Sequence, residues 1–553
     1  MRLSVHIFSK AEGFAAFAGL LAIIVTLQLL SGAYASGFGG YPDESAHLVT
    51  SLMVRDFIAS LDFRHPLQFA QQYYFHYPKV AIGVWPPVLY GMLGIWFRIV
   101  GVSRATAIMF IAVIAAITAS VIYFTGRRLI GRWAGVLAAV LFVASPLVQE
   151  SSARVMSEHL VTLGMLSSTL CFARFARTGR IGDGLAFGAV AAVTILTHGN
   201  AWALGLVPGI TLALTNRWYL LRRVGLWLAA VPVLVTCVPW YFFAPHIVGG
   251  RPGGVARLFV EAVPAYAWFI YVGAGLPVLI FASIGVWQTI IQVKPWTEIS
   301  PEWVALAGVA IAAFILHCVL PVPTDSRYMV LLLPSVVLFS AAGVDEIAHR
   351  IGDRLSIGAV RVGLAAALLA AFCAGSFALP LHLRNGGYEA LVRDVTARVS
   401  NVPQVWLISS GSTGEGCLVA AIALQEVRPN SYVLRGKTIL AGGDWFWAST
   451  QDRFDTPAKL TELLDEMSVT IIVIDDSVPL TQRRPYQDRL KELVSSEPDK
   501  WEQLGSYPQI EGGIAIANSL HVYARRPVAS LALAAPSIPL DRLRALMVRK
   551  ELR

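Results

Sequence analysis

Long apolar runs separated by short polar segments make up most of the first 380 residues of the chain. About eleven of these runs approach the length of roughly 20 residues that an α-helix needs to cross a bilayer. They cover residues 14–35, 104–125, 133–150, 158–176, 184–197, 200–216, 224–243, 264–290, 303–320, 328–344 and 358–380. A further run, Val84–Gly101, is shorter and has Pro86 and Pro87 at its head, where proline can only start a helix. The pattern predicts an α-helical polytopic membrane protein.

The basic residues between the runs indicate the orientation. If Val84–Gly101 lies at the interface without crossing, the N-terminus, the Arg127–Arg132 cluster and the later basic clusters all fall on one side. That side is cytoplasmic, because short cytoplasmic loops are enriched in Lys and Arg. If the run crossed, the same clusters would lie outside. We therefore expect a cytoplasmic N-terminus and an uncleaved first span, although residues 33–35 also resemble a signal-peptide cleavage site.

Composition agrees with this assignment and excludes other classes of protein. Hydrophobic residues make up 56% of the chain and charged residues 14%, against roughly 25% charged in soluble domains. The net charge of +9 does not indicate nucleic-acid binding, because the basic residues occur in the clusters that orient membrane spans. The five cysteines are scattered and form no CxxC pair, so neither a disulfide framework nor a cysteine metal site is predicted.

From residue 383 onward the pattern changes to that of an α/β fold. Two apolar strands, Gln404–Ser410 and Thr470–Ser477, alternate with two amphipathic helices, Thr456–Met467 and Tyr486–Ser496. Gly512–Arg526 resembles a closing pair of strand segments. We therefore expect three parts: a transmembrane catalytic domain over residues 1–382, an extracytoplasmic α/β domain over 383–530, and a tail over 531–553 that forms an interfacial helix.

The polar residues that could carry chemistry collect on the predicted outer side of the membrane. Neither ATP nor nucleotide sugars are found there, so group transfer needs a donor that arrives with the lipid, such as a sugar on a polyprenyl phosphate. The transfer requires a base for the acceptor hydroxyl and cations for the departing phosphate. The candidate acids are Asp43, Glu44 and Glu158, and the candidate phosphate-binding cations are Lys79, Arg154 and Arg327. The candidates for lining a substrate are Tyr41, Tyr77, Trp85, His159 and His198.

Four stretches carry a resemblance to a known family. In chain order, YPDESAH, HYPKVAIGVWPPVLY, ARVMSEHLV and DSRYMVLLLPSVVLFSAAG resemble the bacterial branch of the protein O-mannosyltransferase family. That branch is similar to the aminoarabinose transferase that modifies lipid A. Both are GT-C-type glycosyltransferases that use polyprenyl- or dolichyl-phosphate sugars. The resemblance covers residues 14–380 and implies a GT-C-type fold, with interfacial helices after the first span, in a bacterial inner membrane.

The resemblance also implies roles for particular residues. The catalytic acid of the family falls on Asp43, with Glu44 beside it. Its second acidic position, usually Asp, falls on Glu158. Its Arg-Tyr pair at the head of a late span falls on Arg327 and Tyr328, which are then expected to bind the donor phosphate.

One position departs from the pattern of the lipid A relatives. The lysine that precedes paired prolines there is Trp85 in this sequence, and Lys79 is the nearest replacement. With that substitution, the sequence predicts an inverting, polyprenyl-phosphate-sugar-dependent hexosyl- or pentosyltransferase with Asp43 as general base. Its expected partners are the lipid-linked sugar, membrane lipids, and an acceptor that is a protein, a lipid or a polysaccharide.

Three alternatives stay open. A lipid-linked saccharide flippase is the main one, although it would call for ionisable residues inside spans and inverted repeats, and neither is evident. A sugar-binding receptor built on the outer domain would leave the spans without a role. On the plainest interpretation, Asp43 and Glu44 start a solvated loop, while Arg154 and Arg327 anchor lipid headgroups.

Two further patterns suggest ligands only weakly. Residues 411–416 (GSTGEG) follow a strand and precede a helix but lack the Walker Lys-Ser/Thr, which favours a tight βα turn over a phosphate-binding loop. No metal signature occurs in the spacing, so no cofactor is expected. The alternative is a divalent cation held by Asp43, Glu158 and His198.

Overall fold

The chain forms two compact units. The computed structural model describes residues 10–81, 83–244, 255–320, 324–351, 356–377, 384–399, 402–426, 428–443, 450–528, 531 and 538–547. The first unit, called the helical unit, comprises Met1–Ala33, Gly83–Leu89 and Ile108–His382. The second, called the mixed unit, comprises Tyr34–Ile82, Tyr90–Ala107 and Leu383–Arg553. The segment that carries Asp43 therefore groups with the C-terminal residues.

In the described residues before position 400 the regular elements are helices, and strands alternate with helices only after it. In chain order the α-helices are α1 (Lys10–Leu30), α2 (Glu44–Ser60), α3 (Pro66–His76), α4 (Val88–Val100), α5 (Arg104–Leu129), α6 (Arg132–Ala144), α7 (Pro146–Ser152), α8 (Glu158–Thr178), α9 (Ile181–Ile195), α10 (Val207–Thr215), α11 (Val224–Leu228), α12 (Ala230–Phe243), α13 (Val255–Ala274), α14 (Leu276–Val286), α15 (Pro301–Val319), α16 (Leu333–Ile351), α17 (Ile357–Phe377), α18 (Tyr388–Val399), α19 (Ser412–Gln425), α20 (Gly436–Ile439), α21 (Pro457–Glu466), α22 (Pro485–Ser496) and α23 (Leu540–Met547). The strands are β1 (Val405–Ser409), β2 (Tyr432–Arg435), β3 (Ala441–Gly443), β4 (Thr450–Asp452), β5 (Ile471–Asp475), β6 (Trp501–Glu511) and β7 (Ile514–Arg525).

Many of the helices have the length and apolarity of membrane spans. Within the described residues, six segments qualify singly: Lys10–Leu30, Arg104–Leu129, Glu158–Thr178, Val224–Phe243, Pro301–Val319 and Ser326–Ile351. The number rises to eight if each of two bent helix pairs is one span. The remaining apolar runs form shorter helices, among them α4, which at 13 residues is about 20 Å long and too short for a hydrocarbon core of about 30 Å. The protein is thus a multi-pass membrane protein.

Two predicted spans are broken rather than straight. α6 and α7 meet at an angle of 59°, and the helices on either side of Gly275 meet at 101°. Pro146 occupies the first turn of α7 and Pro277 that of α14, where a ring without an N–H can begin a helix but not continue one. Each of the runs 133–150 and 264–290 therefore contains a proline that marks the start of a second helix, although the run is apolar throughout.

Close backbone contact holds part of the helical unit together. A Cβ atom on Gly285 of α14 would overlap the carbonyl oxygen of Phe339 on α16, and one on Gly343 of α16 would overlap that of Phe281 on α14. Small residues allow this approach, on which helix association depends where lipid supplies no hydrophobic driving force. Large apolar side chains elsewhere on the unit remain exposed, such as Phe242 at 75%, as expected of residues that face lipid.

The mixed unit contains a five-stranded sheet in the order β2-β1-β5-β7-β6. β1 pairs in parallel with β2 and β5, and β7 pairs antiparallel with β5 and β6. Every residue of β1 and β5 is buried, which explains why both read as continuous apolar runs. The predicted helices and the first two predicted strands are confirmed.

Two details of the C-terminal part differ from the sequence prediction. Residues 514–525 form one strand, β7, rather than a pair, because Gly512 and Gly513 turn the chain with positive φ and the partner is β6. In the predicted tail, Leu543, Leu546 and Met547 of α23 are buried in the core of the mixed unit, so this apolar face packs on protein instead of on a membrane surface. Residues 532–537 and 548–553 of the tail lie outside the described residues.

Candidate active site

Asp43 and Glu44 stand at the start of α2, in the mixed unit. The carbonyl of Asp43 accepts a hydrogen bond from the N–H of His47 at 2.9 Å. Because the aligned peptide dipoles place partial positive charge at a helix N-terminus, a carboxylate here is favoured in its charged form. The side chain of Asp43 is half-buried, whereas Glu44 is fully buried. The two neighbouring carboxylates therefore have different surroundings.

Glu44 forms a buried ion pair. Its Oε1 lies 3.4 Å from Nη2 of Arg104, the first residue of α5, and the arginine is only 6% exposed. The Arg104 guanidinium also lies over the ring of Phe38, 5.5 Å from its centroid. Since removing one partner from a buried pair leaves an uncompensated charge, Glu44 fits a positioning role beside Asp43 rather than proton transfer.

Lys79 lies next to Asp43. Its Nζ donates a hydrogen bond to the carbonyl of Pro42 at 3.0 Å. Burial, together with the positive charge of Arg435, lowers the pKa of Lys79 to about 8, while the negative charge of Asp43 acts in the opposite direction. Asp43 precedes α2 and Lys79 follows α3, so the two helices bring a carboxylate and an ammonium group close together.

A second charged group belongs to the helical unit. Oε1 of Glu158, the first residue of α8, lies 3.3 Å from Nη1 of Arg327, and both side chains are largely buried. Arg327 also contacts Asp325 at 3.4 Å and donates to the hydroxyl of Tyr328 at 3.2 Å. The sequence-predicted pair Glu158 and Arg327 is therefore an ion pair, held by a neighbouring carboxylate and a phenol.

Two histidines lie close to this pair. The ring of His317, near the end of α15, stacks on Tyr328 with centroids 4.8 Å apart. His198 accepts a hydrogen bond from the N–H of Asn200 at 3.2 Å. Burial, reinforced by the positive charges of Arg327 and His317, lowers the pKa of His198 to about 3. His198 is therefore neutral at physiological pH.

The remaining predicted residues have other surroundings. Arg154 pairs with Glu150 at 2.8 Å, and His159 is buried with its Nε2 3.0 Å from Ser151 Oγ. Tyr77 is buried and donates its hydroxyl hydrogen bond to Glu426. Tyr41 and Trp85 are half-buried in the turns that precede α2 and α4. Their roles toward a substrate stay predictions.

The structure adds residues that the sequence did not single out. Arg104, Arg435 and His317 each sit against a predicted site residue. Only Arg104 carried a local signal, as a basic residue at the head of an apolar run. Among the described residues, no group of three or more His, Cys, Asp or Glu side chains is placed to hold a metal ion.

Comparison with known proteins supports the fold assignment. Residues 84–243 match the family described as dolichyl-phosphate-mannose-protein mannosyltransferase. That match and the structural likenesses below support the GT-C-type glycosyltransferases and confirm the predicted fold class. None of the curated proteins matches the sequence.

Several solved structures are similar to this chain. ArnT from Cupriavidus metallidurans in the apo state is 16% identical with a TM-score of 0.59, and the match covers 96% of this chain and 100% of that one. Its complex with undecaprenyl phosphate gives 0.57 with the same identity and coverage. The Archaeoglobus fulgidus oligosaccharyltransferase, in complex with zinc and sulfate, is 13% identical with a TM-score of 0.55, covering 84% of this chain and 68% of that one. At these identities the likeness establishes the fold alone.

Proposed function

We propose that the protein is a glycosyltransferase that moves a sugar from a polyprenyl-phosphate donor to an acceptor on the extracytoplasmic face. The observation that carries the proposal is the position of Lys79, whose Nζ bonds the carbonyl of Pro42, the residue before Asp43. A base and a phosphate-neutralising cation are thereby adjacent. The ArnT structure bound to undecaprenyl phosphate, and that of the Archaeoglobus fulgidus oligosaccharyltransferase AglB with a dolichol-phosphate, support a donor of this kind.

The proposed step is a single displacement at the anomeric carbon. The Asp43 carboxylate takes the proton of the acceptor hydroxyl as the new oxygen–carbon bond forms. The bond from the anomeric carbon to the phosphate oxygen breaks, and the polyprenyl phosphate leaves with the electron pair. Because the acceptor enters opposite the leaving group, the configuration inverts. Lys79 neutralises the negative charge that grows on the departing oxygen.

The Glu158–Arg327 pair has a supporting role in the proposal. A planar guanidinium that is always charged suits bidentate contact with phosphate. Within the helical unit, Glu158 and Asp325 hold the Arg327 guanidinium in place beside Tyr328, which suits it to bind a phosphate group.

The test measures release of free polyprenyl phosphate by the purified protein in lipid nanodiscs. A panel of polyprenyl-phosphate hexoses and pentoses is supplied, with a mixture of lipid, glycan and peptide acceptors. Wild type is compared with Asp43→Asn and with the matched control Asp62→Asn, an exposed carboxylate in the segment that follows α2. We expect release from one donor, its near loss in Asp43→Asn, and wild-type rates in Asp62→Asn.

Either of two results would contradict the proposal. Equal release by wild type and Asp43→Asn would remove Asp43 as the base. No release from any donor, combined with transfer of intact donor across the bilayer of proteoliposomes, would favour the flippase.

A further inference from the structure

The helix that follows the first sheet strand passes directly beside Lys79. Gly416, in the second turn of α19, has no side chain to separate the two. A Cβ atom placed there would lie 2.6 Å from Cε and 3.2 Å from Nζ of Lys79, and would overlap Oγ of Ser45. Both neighbours belong to the same compact unit as α19. The lysine therefore occupies the volume that any other residue at position 416 would fill.

The atoms that would be displaced are the ends of flexible side chains. No backbone atom of another segment stands among the three nearest to that Cβ position. Alanine at position 416 should therefore move Lys79 without breaking the fold, and alanine has a higher helix propensity than glycine. The glycine is thus better explained by the needs of Lys79 than by those of α19.

A second contact fixes the backbone of the same segment. Nη1 of Arg435, the last residue of β2, donates to the carbonyl of Pro78 at 3.3 Å. Arg435 is itself held by Glu415, whose fully buried carboxylate lies 3.0 Å from Nε. The other oxygen of Glu415 accepts from the N–H of Lys437 at 2.9 Å. The residue before Lys79 is therefore tied to the C-terminal end of β2 and, through Glu415, to the first turn of α19.

We infer that the C-terminal part of the chain is a component of the donor-phosphate site: Gly416 and Arg435 position Lys79, the first by leaving it room and the second by fixing the Pro78–Lys79 backbone. This inference rests on the proposed function, in which Lys79 meets the departing phosphate. Gly416 and Arg435 are positioning residues, since they act through Lys79. The α/β region then has a part in catalysis besides any recognition of the acceptor.

The same neighbours set the charge state of Lys79. The groups that act on it are Arg435, Asp43, Cys417 and Glu415, and burial has the largest effect, lowering the pKa to about 8. Lysine at position 79 binds phosphate as the ammonium form, so donor binding weakens as pH rises through about 8. If alanine at position 416 pushes the ammonium group toward solvent, burial decreases and the pKa rises.

The first experiment is a double-mutant cycle in nanodiscs. Gly416→Ala is made in the wild type and in Lys79→Met, and kcat and KM for the donor are measured for each. Misplacing a catalytic group by about 1 Å costs up to about 10²-fold in rate, so we expect kcat/KM for the donor to fall by up to that factor in the wild type. In Lys79→Met the same change should have no further effect. The matched control is Gly411→Ala, because nothing lies within 4 Å of a Cβ atom at that glycine.

A second variant and a second measurement guard against a misfolded protein. Arg435→Lys keeps the charge beside Glu415 but loses the hydrogen bond from Nη1 to the Pro78 carbonyl, and it too should have no effect in the Lys79→Met protein. The pKa of Lys79 is measured by trace acylation with acetic anhydride across pH, read by mass spectrometry, and should rise in Gly416→Ala. This labelling needs no turnover.

The outcomes separate the two proposals. A wild type without transferase activity would contradict the proposed function, while the labelled pKa would still test the position of Lys79. An active wild type with equal effects of Gly416→Ala in both backgrounds, or with an unchanged Lys79 pKa, would overturn the inference alone.

Discussion

The mixed unit and the helical unit each place a carboxylate near a cation, but the two cations differ in whether they can lose a proton. In the mixed unit, Lys79 bonds a carbonyl oxygen next to the half-buried Asp43, and its pKa is lowered into the range of physiological pH. In the helical unit, Arg327 is paired with Glu158 and Asp325 and cannot lose its proton. The first group can change its protonation state during a reaction, whereas the second keeps a fixed charge in a fixed place. The difference suggests a reactive group and a binding group.

The largest expected effect breaks the reactive group. Asp43→Asn removes the proposed base, and loss of a positioned base typically lowers turnover by about 10²–10⁴-fold. The thermal unfolding midpoint should stay near that of the wild type, because the amide keeps the shape of the half-buried side chain. Donor turnover and nanodisc differential scanning fluorimetry measure the two quantities. A large fall in the midpoint would show that Asp43 is structural.

The next change removes the Glu158 carboxylate, which pairs with Arg327. Unlike Asp43→Asn, it should lower the free energy of unfolding. Glu158→Gln leaves Arg327 with one carboxylate, Asp325, in a largely buried setting. Breaking a buried pair costs about 3–5 kcal/mol, and the remaining Asp325 contact should place the loss at the lower end. The free energy of unfolding in detergent is the measurement, with Glu150→Gln, in the half-exposed pair with Arg154, as control. Equal losses in the two variants would contradict the comparison.

A pH profile sharpens the comparison further. A lysine whose folded pKa is lowered to about 8 loses its proton above that pH, so kcat/KM for the donor should fall roughly tenfold per unit at higher pH. Lys79→Arg, which stays protonated, should remove this alkaline fall even if its overall rate is lower. The profile is measured from pH 6 to 10 in both proteins. A fall that persists in Lys79→Arg would assign it to another group.

The smallest expected effect concerns Tyr77. Its hydroxyl donates to Glu426 within the mixed unit, so Tyr77→Phe removes one hydrogen bond to a charged group, worth about 1.5–3 kcal/mol. If the hydroxyl is structural, stability falls by that amount and donor KM is unchanged. Paired measurements of unfolding free energy and KM decide between this role and contact with a substrate, which would raise KM instead.

Local patterns predicted more of the fold than of the site. Apolar runs and the buried strands β1 and β5 are visible in the sequence because each is set by residues next to one another. The prolines at positions 146 and 277 also marked the bends, but each lies inside a continuous apolar run that was predicted as one span. In the C-terminal part, a pair of strand segments was expected within residues 512–526, whereas 514–525 form one strand that pairs with β6 across the turn at Gly512.

The site depends on contacts between distant parts of the chain. A family resemblance marked Asp43, and Lys79 was chosen only as the nearest replacement for the lysine that is Trp85 here. Gly416 and Arg435 reach Lys79 only through the fold of the sheet, and the residues around Gly416 favoured a tight βα turn over a phosphate-binding loop. The glycine looked like part of an ordinary turn, because its function is the space it leaves for a side chain more than 300 positions earlier.

The mixed unit is built from segments that lie far apart in the sequence, so its parts are synthesised at different times. Its first segment, Tyr34–Ile82, leaves the ribosome long before Leu383–Arg553, which completes the unit. At about 5–20 residues per second, the roughly 350 residues between Lys79 and Arg435 take on the order of 20–70 s to synthesise. By the end of that interval the spans that follow Lys79 have been synthesised, while the lysine still lacks the strand and helix that pack beside it. A chain that stalls before the sheet is translated would therefore keep its spans but lack the groups that position Lys79.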